Sequence, residues 1–414
     1  MQLTKKIILP LTIIATSSSP TILHAGSADA IKYANMHYEE SDDRIDIDYT
    51  LLDIKKNFGT DYTLDVSLSY DAISGGTPVW DSISGGSSLA TSDTVSGASA
   101  CVNEAEEYQC KDTRSDDIIG DGKSDSEDFV YRNVYIDDIR RAVTASLTTR
   151  TLSRDEITYG LAYSKETDFE SYEGSLGYMY NLDNSKNRSI SLGASYQAND
   201  AYHYRTNIWK NFNIVNAQAG LTQVFTKYST GQINVFAIKQ SGELSNPYQT
   251  IIRAFDVSLT DSPEIKYYRA TEKRPNSRKA MGMTIFTSSK LLPNTALHGY
   301  YRYYSDDWGV VSHTATANAY IDFASSWTFI PLLRTYRQSD SVFYKAYDAK
   351  DFTFNETDFG SSDERLGGFG TVTYSLGLEK KLMRNLKSKV HVAYQKQTIG
   401  LEMTWFHLGV NYEF

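Results

Sequence analysis

The chain has 414 residues, of which 41 % are hydrophobic and 13 % aromatic, and a formal net charge of −10. This acidic balance excludes the basic surface of a nucleic-acid-binding protein. Beyond the N-terminal segment, no stretch approaches the about 18 consecutive apolar residues of a transmembrane helix, so a membrane-resident chain of this kind must cross as a closed β-barrel. The 31 tyrosines suit the aromatic girdles of such a barrel, with a tyrosine-rich soluble β-sandwich as the alternative.

The N-terminus has the organisation of a secretory signal. Two lysines precede an apolar run at residues 7–15, and small residues follow, with cleavage predicted after Ala25 or Ala30. The run is too short to span a bilayer as a helix. The sequence therefore predicts a signal peptide at 1–25, with cleavage as late as residue 30, and a mature β-barrel at 31–414 that leaves the cytoplasm.

The mature chain alternates between apolar and polar residues with the period of two that is typical of β-strands. In segment 62–73, for example, Leu64, Val66 and Leu68 alternate with Asp65. The pattern predicts an all-β, antiparallel transmembrane barrel of about 16 strands, with 14 as the alternative count. The predicted strands are 31–38, 44–54, 62–73, 139–150, 156–164, 172–181, 188–197, 213–226, 232–240, 278–288, 295–304, 311–323, 327–337, 368–379, 388–395 and 404–414.

The connections between these strands alternate between short turns and mostly longer loops. This layout is typical of bacterial outer-membrane barrels, with short inner turns, long extracellular loops and both termini on the inner side. The longest loop, 74–138, contains the only two cysteines, Cys101 and Cys110. In an oxidising compartment they are expected to form a disulfide, and the loop that they close is the predicted plug of the lumen.

The last strand ends at the chain terminus with aromatic residues on one face. His407, Gly409, Tyr412 and Phe414 occupy the positions of the C-terminal signal by which the barrel-assembly machinery recognises outer-membrane barrels. The alternative is an amphipathic edge strand of a soluble sheet, although an exposed apolar edge is an aggregation hazard. The predicted location is therefore the outer membrane of a Gram-negative bacterium, with its lipid and the assembly machinery as partners.

Two blocks of sequence, Asp71 to Pro78 and Tyr300 to Gly309, resemble a bacterial family catalogued as domain of unknown function 3570. Blocks at 246–248, 274–278 and 336–344 are similar to that family as well. The resemblance implies an outer-membrane β-barrel and brings no established activity and no catalytic residues. Members often appear beside genes for flavin-transferring and thioredoxin-like proteins, which implies a redox partner protein by association.

Acidic side chains are predicted to line part of the lumen. Pairing across a turn at Phe58 and Gly59 places Asp46 opposite Asp71, with Asp48 facing inward beside them and Asp65 lower on the same wall. Carboxylates that share one patch raise each other's pKa or recruit a cation. The alternative is that they are simply solvated in a wide aqueous pore.

An arginine on the far part of the sequence is expected to face this acidic wall. Arg302 points inward if the neighbouring tyrosines face lipid, and Arg334 or Arg337 joins it. Opposed charges would create a transverse field that orients polar solutes, as in general porins. The alternative is that Arg302 forms a local ion pair with Asp306 or Asp322 and only fixes the barrel.

Histidines and loop carboxylates are the candidate metal ligands of the sequence. His298 faces inward beside Arg302, and His391 and His407 face inward on the last two strands, but two histidines without a third ligand predict no metal. In the long loop, Asp121 and Asp125 follow a Gly-Asp-Gly turn where calcium binding is a hypothesis. The spacing departs from that of an EF-hand, so that a solvated acidic loop is the alternative.

The sequence contains no nucleophile elbow, phosphate-binding loop or zinc-protease motif. We therefore predict a porin-like outer-membrane channel for small hydrophilic solutes that is not an enzyme. The alternative is a non-conducting outer-membrane scaffold that docks periplasmic or surface redox proteins. A third hypothesis is a surface enzyme that uses carboxylates at the rim together with His298.

Overall fold

The computed structural model describes a closed barrel of sixteen antiparallel strands. This architecture confirms the predicted fold class and strand count. The described residues are 28–42, 44–82, 94–95, 98–99, 129–203, 206–256 and 265–414.

The elements follow the chain as a long meander with three insertions. In chain order the strands are β1 (Ala30–Glu40), β2 (Ile45–Phe58), β3 (Tyr62–Ser82), β4 (Thr94–Val95), β5 (Ala98–Ser99), β6 (Phe129–Arg150), β7 (Glu156–Lys165), β8 (Phe169–Asn181), β9 (Arg188–His203), β10 (Ile208–Thr226), β11 (Ser229–Gly242), β12 (Thr250–Asp256), β13 (Ile265–Thr271), β14 (Ser277–Leu292), β15 (Thr295–Asp306), β16 (Val311–Ala324), β17 (Trp327–Gln338), β18 (Phe354–Asn355), β19 (Phe369–Met383), β20 (Leu386–Gln397) and β21 (Glu402–Glu413). Within the described ranges, one 3-10 turn is present, at Glu364–Leu366.

The barrel is closed by its first and last strands. β21 pairs with β1 from Ala30 opposite Glu413 to Glu40 opposite Met403, so the ring leaves no free edge. Around the ring, the sixteen barrel strands follow the order β1, β2, β3, β6 to β11, β14 to β17 and β19 to β21. β12, β13 and β18 form a separate three-stranded sheet, and β4 and β5 pair with each other. Among the described residues, no helix is long and apolar enough to cross a membrane.

The outer surface of the barrel carries a band of exposed apolar side chains. Alternation with a period of two places these residues on the outer face and mostly polar residues on the inner face of the strands. An exposed apolar band of this kind is suited to lipid contact, which defines the middle of the barrel as its membrane-spanning part. The band includes Tyr33, Ile54, Leu68, Val143, Leu161, Leu176, Leu192, Leu221, Ile233, Leu297, Leu333, Leu376, Val392 and Leu408.

The two ends of the barrel differ. The start of β1, the end of β21 and seven short turns lie at one end, here called the inner end, and the long connections lie at the other, outer end. β3 and β6 continue far beyond the other strands there, pairing up to Ser82 opposite Phe129. Part of the predicted loop 74–138 is therefore a long two-stranded ribbon, and that boundary prediction was wrong.

The register predicted for the β2–β3 hairpin was also wrong. The turn is closed by Phe58 opposite Tyr62, which sets Asp46 opposite Ser74 and Asp48 opposite Ala72. The shift of three residues is odd, so it reverses which face of β2 lies beside Asp71. Asp46 and Asp48 consequently lie on the exposed outer surface rather than in the lumen, where Asp48 contacts the Nδ1 atom of His37 at 2.9 Å.

Candidate functional site

Two long connections fold together at the outer end of the barrel. We call them the two-loop plug, defined as the described residues of 243–276, which contain β12 and β13, and of 339–368, which contain β18. The two connections are joined by the β12–β18 pairing and by reciprocal backbone hydrogen bonds between Lys273 and Gly360. They therefore form one structural unit.

The plug packs against inward-facing side chains on separate parts of the barrel wall. Tyr248 contacts the cluster formed by Ile45 and Ile73 on β2 and β3, and it also contacts the cluster around Phe169 and Phe212 on β8 and β10. Only β6 and β7 lie between these two groups of strands in the ring. Tyr248 therefore contacts the outer end of the wall on both sides of β6 and β7.

A second set of contacts reaches a third part of the wall. Leu244 packs both against the Phe212 cluster and against a cluster of Trp308, Phe343 and Leu366. Trp308 lies in the connection between β15 and β16, and its ring is 5.1 Å from that of Phe343. Segment 339–368 is thus held beside the strands that lie farthest from β3.

Polar contacts fasten the plug to the barrel at two further points. Arg44, next to β2, donates from Nη1 to Glu364 at 2.8 Å. Burial would lower the pKa of Arg44, but the charges of Glu364 and Glu40 outweigh it and raise this pKa. On the opposite wall, Gln338 at the end of β17 donates to the backbone carbonyl of Gly367 at 2.6 Å. The contacts surround the outer mouth, so the plug lies across it.

A buried ion network holds the two loops of the plug together. The Nη2 atom of Arg274 lies 3.0 Å from Glu272 and 2.8 Å from Asp363, and Arg365 donates to Asp363 from Nε at 2.6 Å. Glu272 also accepts hydrogen bonds from the hydroxyl of Ser361 in the other connection and from the backbone N–H of Asn246 in its own. Burial opposes ionisation of Asp363, but the charges of Arg365 and Arg274 outweigh it and hold its pKa below the usual range.

An aromatic cluster attaches the plug to the β3–β6 ribbon. Trp80 of β3 is fully buried, stacks on Phe352 with ring centroids 4.9 Å apart and meets Tyr131 of β6 edge to face at 5.6 Å. Tyr131 in turn stacks on Tyr347 at 4.3 Å. The Oγ1 atom of Thr250 donates to the Trp80 carbonyl at 2.7 Å, which adds β12 to this attachment.

The plug described here is not the one that the sequence predicted. The cysteine-containing loop was expected to fill the lumen, but Cys101 and Cys110 lie outside the described residues, and their disulfide stays a prediction. Asp121 and Asp125 lie outside them as well, so calcium binding there also stays a prediction. The predicted signal peptide lies almost entirely outside the described residues, and cleavage after Ala25 stays an expectation.

Below the plug, Arg302 faces the lumen from β15. It is paired with Thr284 and lies on the same face as His298. The predicted alternative, an ion pair with Asp306 or Asp322, is not what the structure shows. Asp306 is bound by Arg278 at 2.8 Å, and Asp322 accepts from Thr328 at 2.6 Å.

Strand β17, which is separated from β15 by β16, contributes one of the two further arginines predicted to face the lumen. Arg334 is opposite Thr316, which is itself opposite Tyr300, so Arg334 shares the inward face with Arg302. Arg337 is an odd number of residues away and faces outward. The pairing of β17 with β19 continues through Pro331 without a register shift, so the alternation of faces holds along the whole strand.

The acidic wall is narrower than predicted and is partly neutralised. Asp71 faces inward and forms an ion pair with Arg140 of β6, while Asp65 is opposite Lys55. β3, which carries both aspartates, is the eighth neighbour of β15 around the ring of sixteen. Asp71 and Arg302 therefore lie on opposite walls, but the charge of Asp71 is neutralised by its ion pair with Arg140.

The last two strands bring the two predicted histidines together. His391 is directly opposite His407, with ring centroids 5.9 Å apart and the planes inclined at 73°. Gly377 leaves the space that the His391 ring occupies, because a Cβ at that position would lie 2.4 Å from the ring. The pair faces the lumen beside Lys389, and His298 lies far from it around the ring.

A group of carboxylates that the sequence did not bring together lies at the outer end of β6 to β8. Asp138, Glu166 and Asp168 are buried, and each presents one oxygen within 4.8 Å of the others, a spacing that a divalent cation can bridge. Asp138 accepts from the Oγ1 atom of Thr167 at 3.0 Å. The rim carboxylates of the surface-enzyme hypothesis are not brought together, because Asp46 faces outward.

The closed ring, the apolar band and the polar interior define a transmembrane β-barrel of the outer-membrane type. The chain belongs to the family described as "Protein of unknown function (DUF3570)", whose model matches residues 7–405. This match confirms the family resemblance found in the sequence. No curated protein matches the chain in sequence.

Several solved structures are similar to this chain at the level of the fold. The CymD monoaromatic hydrocarbon channel aligns with a TM-score of 0.41 at 8 % identity, over 94 % of this chain and 89 % of that chain. A bacterial polysaccharide outer membrane secretin aligns with a TM-score of 0.45 at 8 % identity, over 94 % of this chain and 98 % of that chain. A loop-deletion mutant of OmpT, an outer membrane protein of Vibrio cholerae, aligns with a TM-score of 0.39 at 9 % identity, over 94 % and 100 %.

Proposed function

We propose that the protein is an outer-membrane channel for small hydrophilic solutes, closed at its outer mouth by the two-loop plug and opened when the plug moves. The observation that carries the proposal is a polar lumen obstructed by inserted loops rather than by the barrel wall itself. A ring of sixteen strands is wide enough for a water-filled bore when nothing fills it. The plug therefore determines whether the bore conducts.

The interior below the plug supports passage of polar solutes. Inward positions on successive strands carry hydroxyl, amide and charged groups that hydrate a pore and offer hydrogen bonds to solutes. Such a lining has no purpose in a barrel filled by an apolar core. It includes Ser67, Thr144, Ser195, Gln218, Asn234, Thr284, Thr316 and Ser375.

The attachment points of the plug allow a clean test. Ser241 is directly opposite Ser277, and Gln338 is directly opposite Phe369, so each loop leaves and re-enters the barrel between paired neighbours. Short Gly-Ser turns can therefore replace 244–275 and 340–367 without changing a barrel register. We expect this unplugged variant to give large, stable conductance steps in planar bilayers, whereas the full chain conducts rarely and briefly.

The folded state of both proteins is checked by their heat-modifiable migration in gels. A folded unplugged variant that gives no conductance would refute the channel. Conductance of the unplugged variant together with permanent silence of the full chain would instead favour the non-conducting scaffold, because the plug would then be a fixed part of the wall.

A further inference from the structure

The inward-facing arginines of the barrel fall into two groups. Arg140 is paired with Asp71, Arg150 is 2.7 Å from Glu156, and Arg278 is 2.8 Å from Asp306. Within the described part of the chain, Arg302 and Arg334 have no carboxylate within ion-pair distance. These two guanidinium groups are the exception in a wall that otherwise neutralises its arginines.

Aromatic rings hold the two unpaired arginines in place. The Cζ atom of Arg302 lies 5.1 Å from the ring centre of Phe236 and 5.2 Å from that of Tyr304, and the Cζ atom of Arg334 lies 5.7 Å from that of Tyr336. Stacking covers a face of each guanidinium but leaves its N–H groups, which lie in the plane, available to an acceptor. The rings therefore orient both arginines and leave their N–H groups able to donate hydrogen bonds to a ligand.

The geometry of the strands places these donors around one space. Arg302 and Arg334 lie on strands separated only by β16, where they are opposite Thr314 and Thr316, so their backbones are about 12 Å apart. The phenol of Tyr300, also opposite Thr316 on the inward face, lies within electrostatic reach of both charges. The plug begins directly above, where Gln338 binds its backbone. We call this cationic, aromatic-lined part of the lumen wall the chamber.

We propose that this chamber, formed by Arg302, Arg334 and the rings of Phe236, Tyr300, Tyr304 and Tyr336, binds small organic carboxylates. A guanidinium fork matches a carboxylate with two parallel hydrogen bonds, and the aromatic wall contacts the organic part of the solute. The solute also separates two like charges that otherwise repel each other. The inference rests on the proposed channel only for the route by which the solute arrives.

Calorimetric titration of the full chain in detergent micelles tests the site with benzoate as the probe and benzyl alcohol as its uncharged counterpart. We expect saturable binding of benzoate and much weaker binding of the alcohol. A hydrogen bond to a charged group contributes about 10- to 100-fold in affinity. Arg302→Gln and Arg334→Gln should therefore each weaken the binding of benzoate by about that factor. Arg302→Lys, which keeps the charge but loses the fork, should fall between.

Arg337→Gln is the matched control, since this arginine lies on the same strand as Arg334 but faces outward. The Arg337→Gln variant should bind benzoate as tightly as the unmodified chain does. Equal binding of benzyl alcohol and benzoate, absence of saturable benzoate binding, or unchanged binding in correctly folded Arg302→Gln and Arg334→Gln would overturn the site. The titration requires no open channel, so its failure leaves the conductance test standing, and a silent unplugged barrel leaves the binding result standing.

Discussion

Replacement of Arg274 by methionine is expected to release the two-loop plug from the lumen. Methionine keeps much of the side-chain volume but leaves Glu272 buried without its cation, while Asp363 retains only Arg365. Breaking a buried ion pair by removing one partner costs about 3–5 kcal/mol. The population of the open plug should therefore rise by more than about 100-fold.

Chymotrypsin reports this opening, because Phe343 and Phe352 are buried in the closed plug. Cleavage after these residues should accelerate in Arg274→Met, and conductance openings should become frequent. Lys345→Gln is the control in the same loop, since its ion pair with Asp351 is exposed and worth less than about 1 kcal/mol. If Arg274→Met is cleaved no faster than Lys345→Gln, the ion network does not hold the plug.

Replacement of Trp80 by alanine should detach the three-stranded sheet from the β3–β6 ribbon. Among the described residues Trp80 is the largest fully buried side chain, and its removal leaves a cavity beside Phe352, Tyr131 and Ile252. Substitution of a buried tryptophan by alanine typically costs about 3–5 kcal/mol. Amide exchange in β12 should accelerate strongly, while exchange in the membrane-spanning strands should stay unchanged.

Trp209 provides the comparison for this variant. It lies on the outward face of β10 and is about half exposed, and its ring centre is 5.5 Å from that of Tyr202. Trp209→Ala should therefore leave exchange in β12 as it is in the unmodified chain. Equal exchange of β12 in Trp80→Ala and Trp209→Ala would show that the ribbon does not anchor the plug.

The barrel itself was predictable from the sequence because the alternation of apolar and polar residues is visible within each strand. Alternation with period two fixes which residues of one strand share a face, so Arg302 with His298, and His391 with His407, could be assigned inward without knowledge of the partner strands. The same reasoning failed for Asp46 because its position relative to Asp71 depends on the turn. A turn longer by an odd number of residues reverses the relation between two faces.

The plug was not predictable in the same way. Arg274 and Asp363 are 89 residues apart in sequence, and neither local charge pattern indicates that they meet in a buried site. One signal was available and missed. β12 and β13 contain runs of β-branched and aromatic residues, Thr250 to Phe255 and Ile265 to Tyr268, that are typical of strands within a predicted loop.

The central claim is that the two connections fold into the mouth of the barrel, and amide hydrogen exchange of the full chain in lipid nanodiscs tests it most directly. The backbone bonds that join Lys273 with Gly360, Ser361 with Phe343 and Val342 with Trp308 predict slow exchange within 265–276 and 341–362. Protection there should exceed that of an unstructured peptide by orders of magnitude. Exchange of both segments at the rate of an unstructured peptide would contradict the plug.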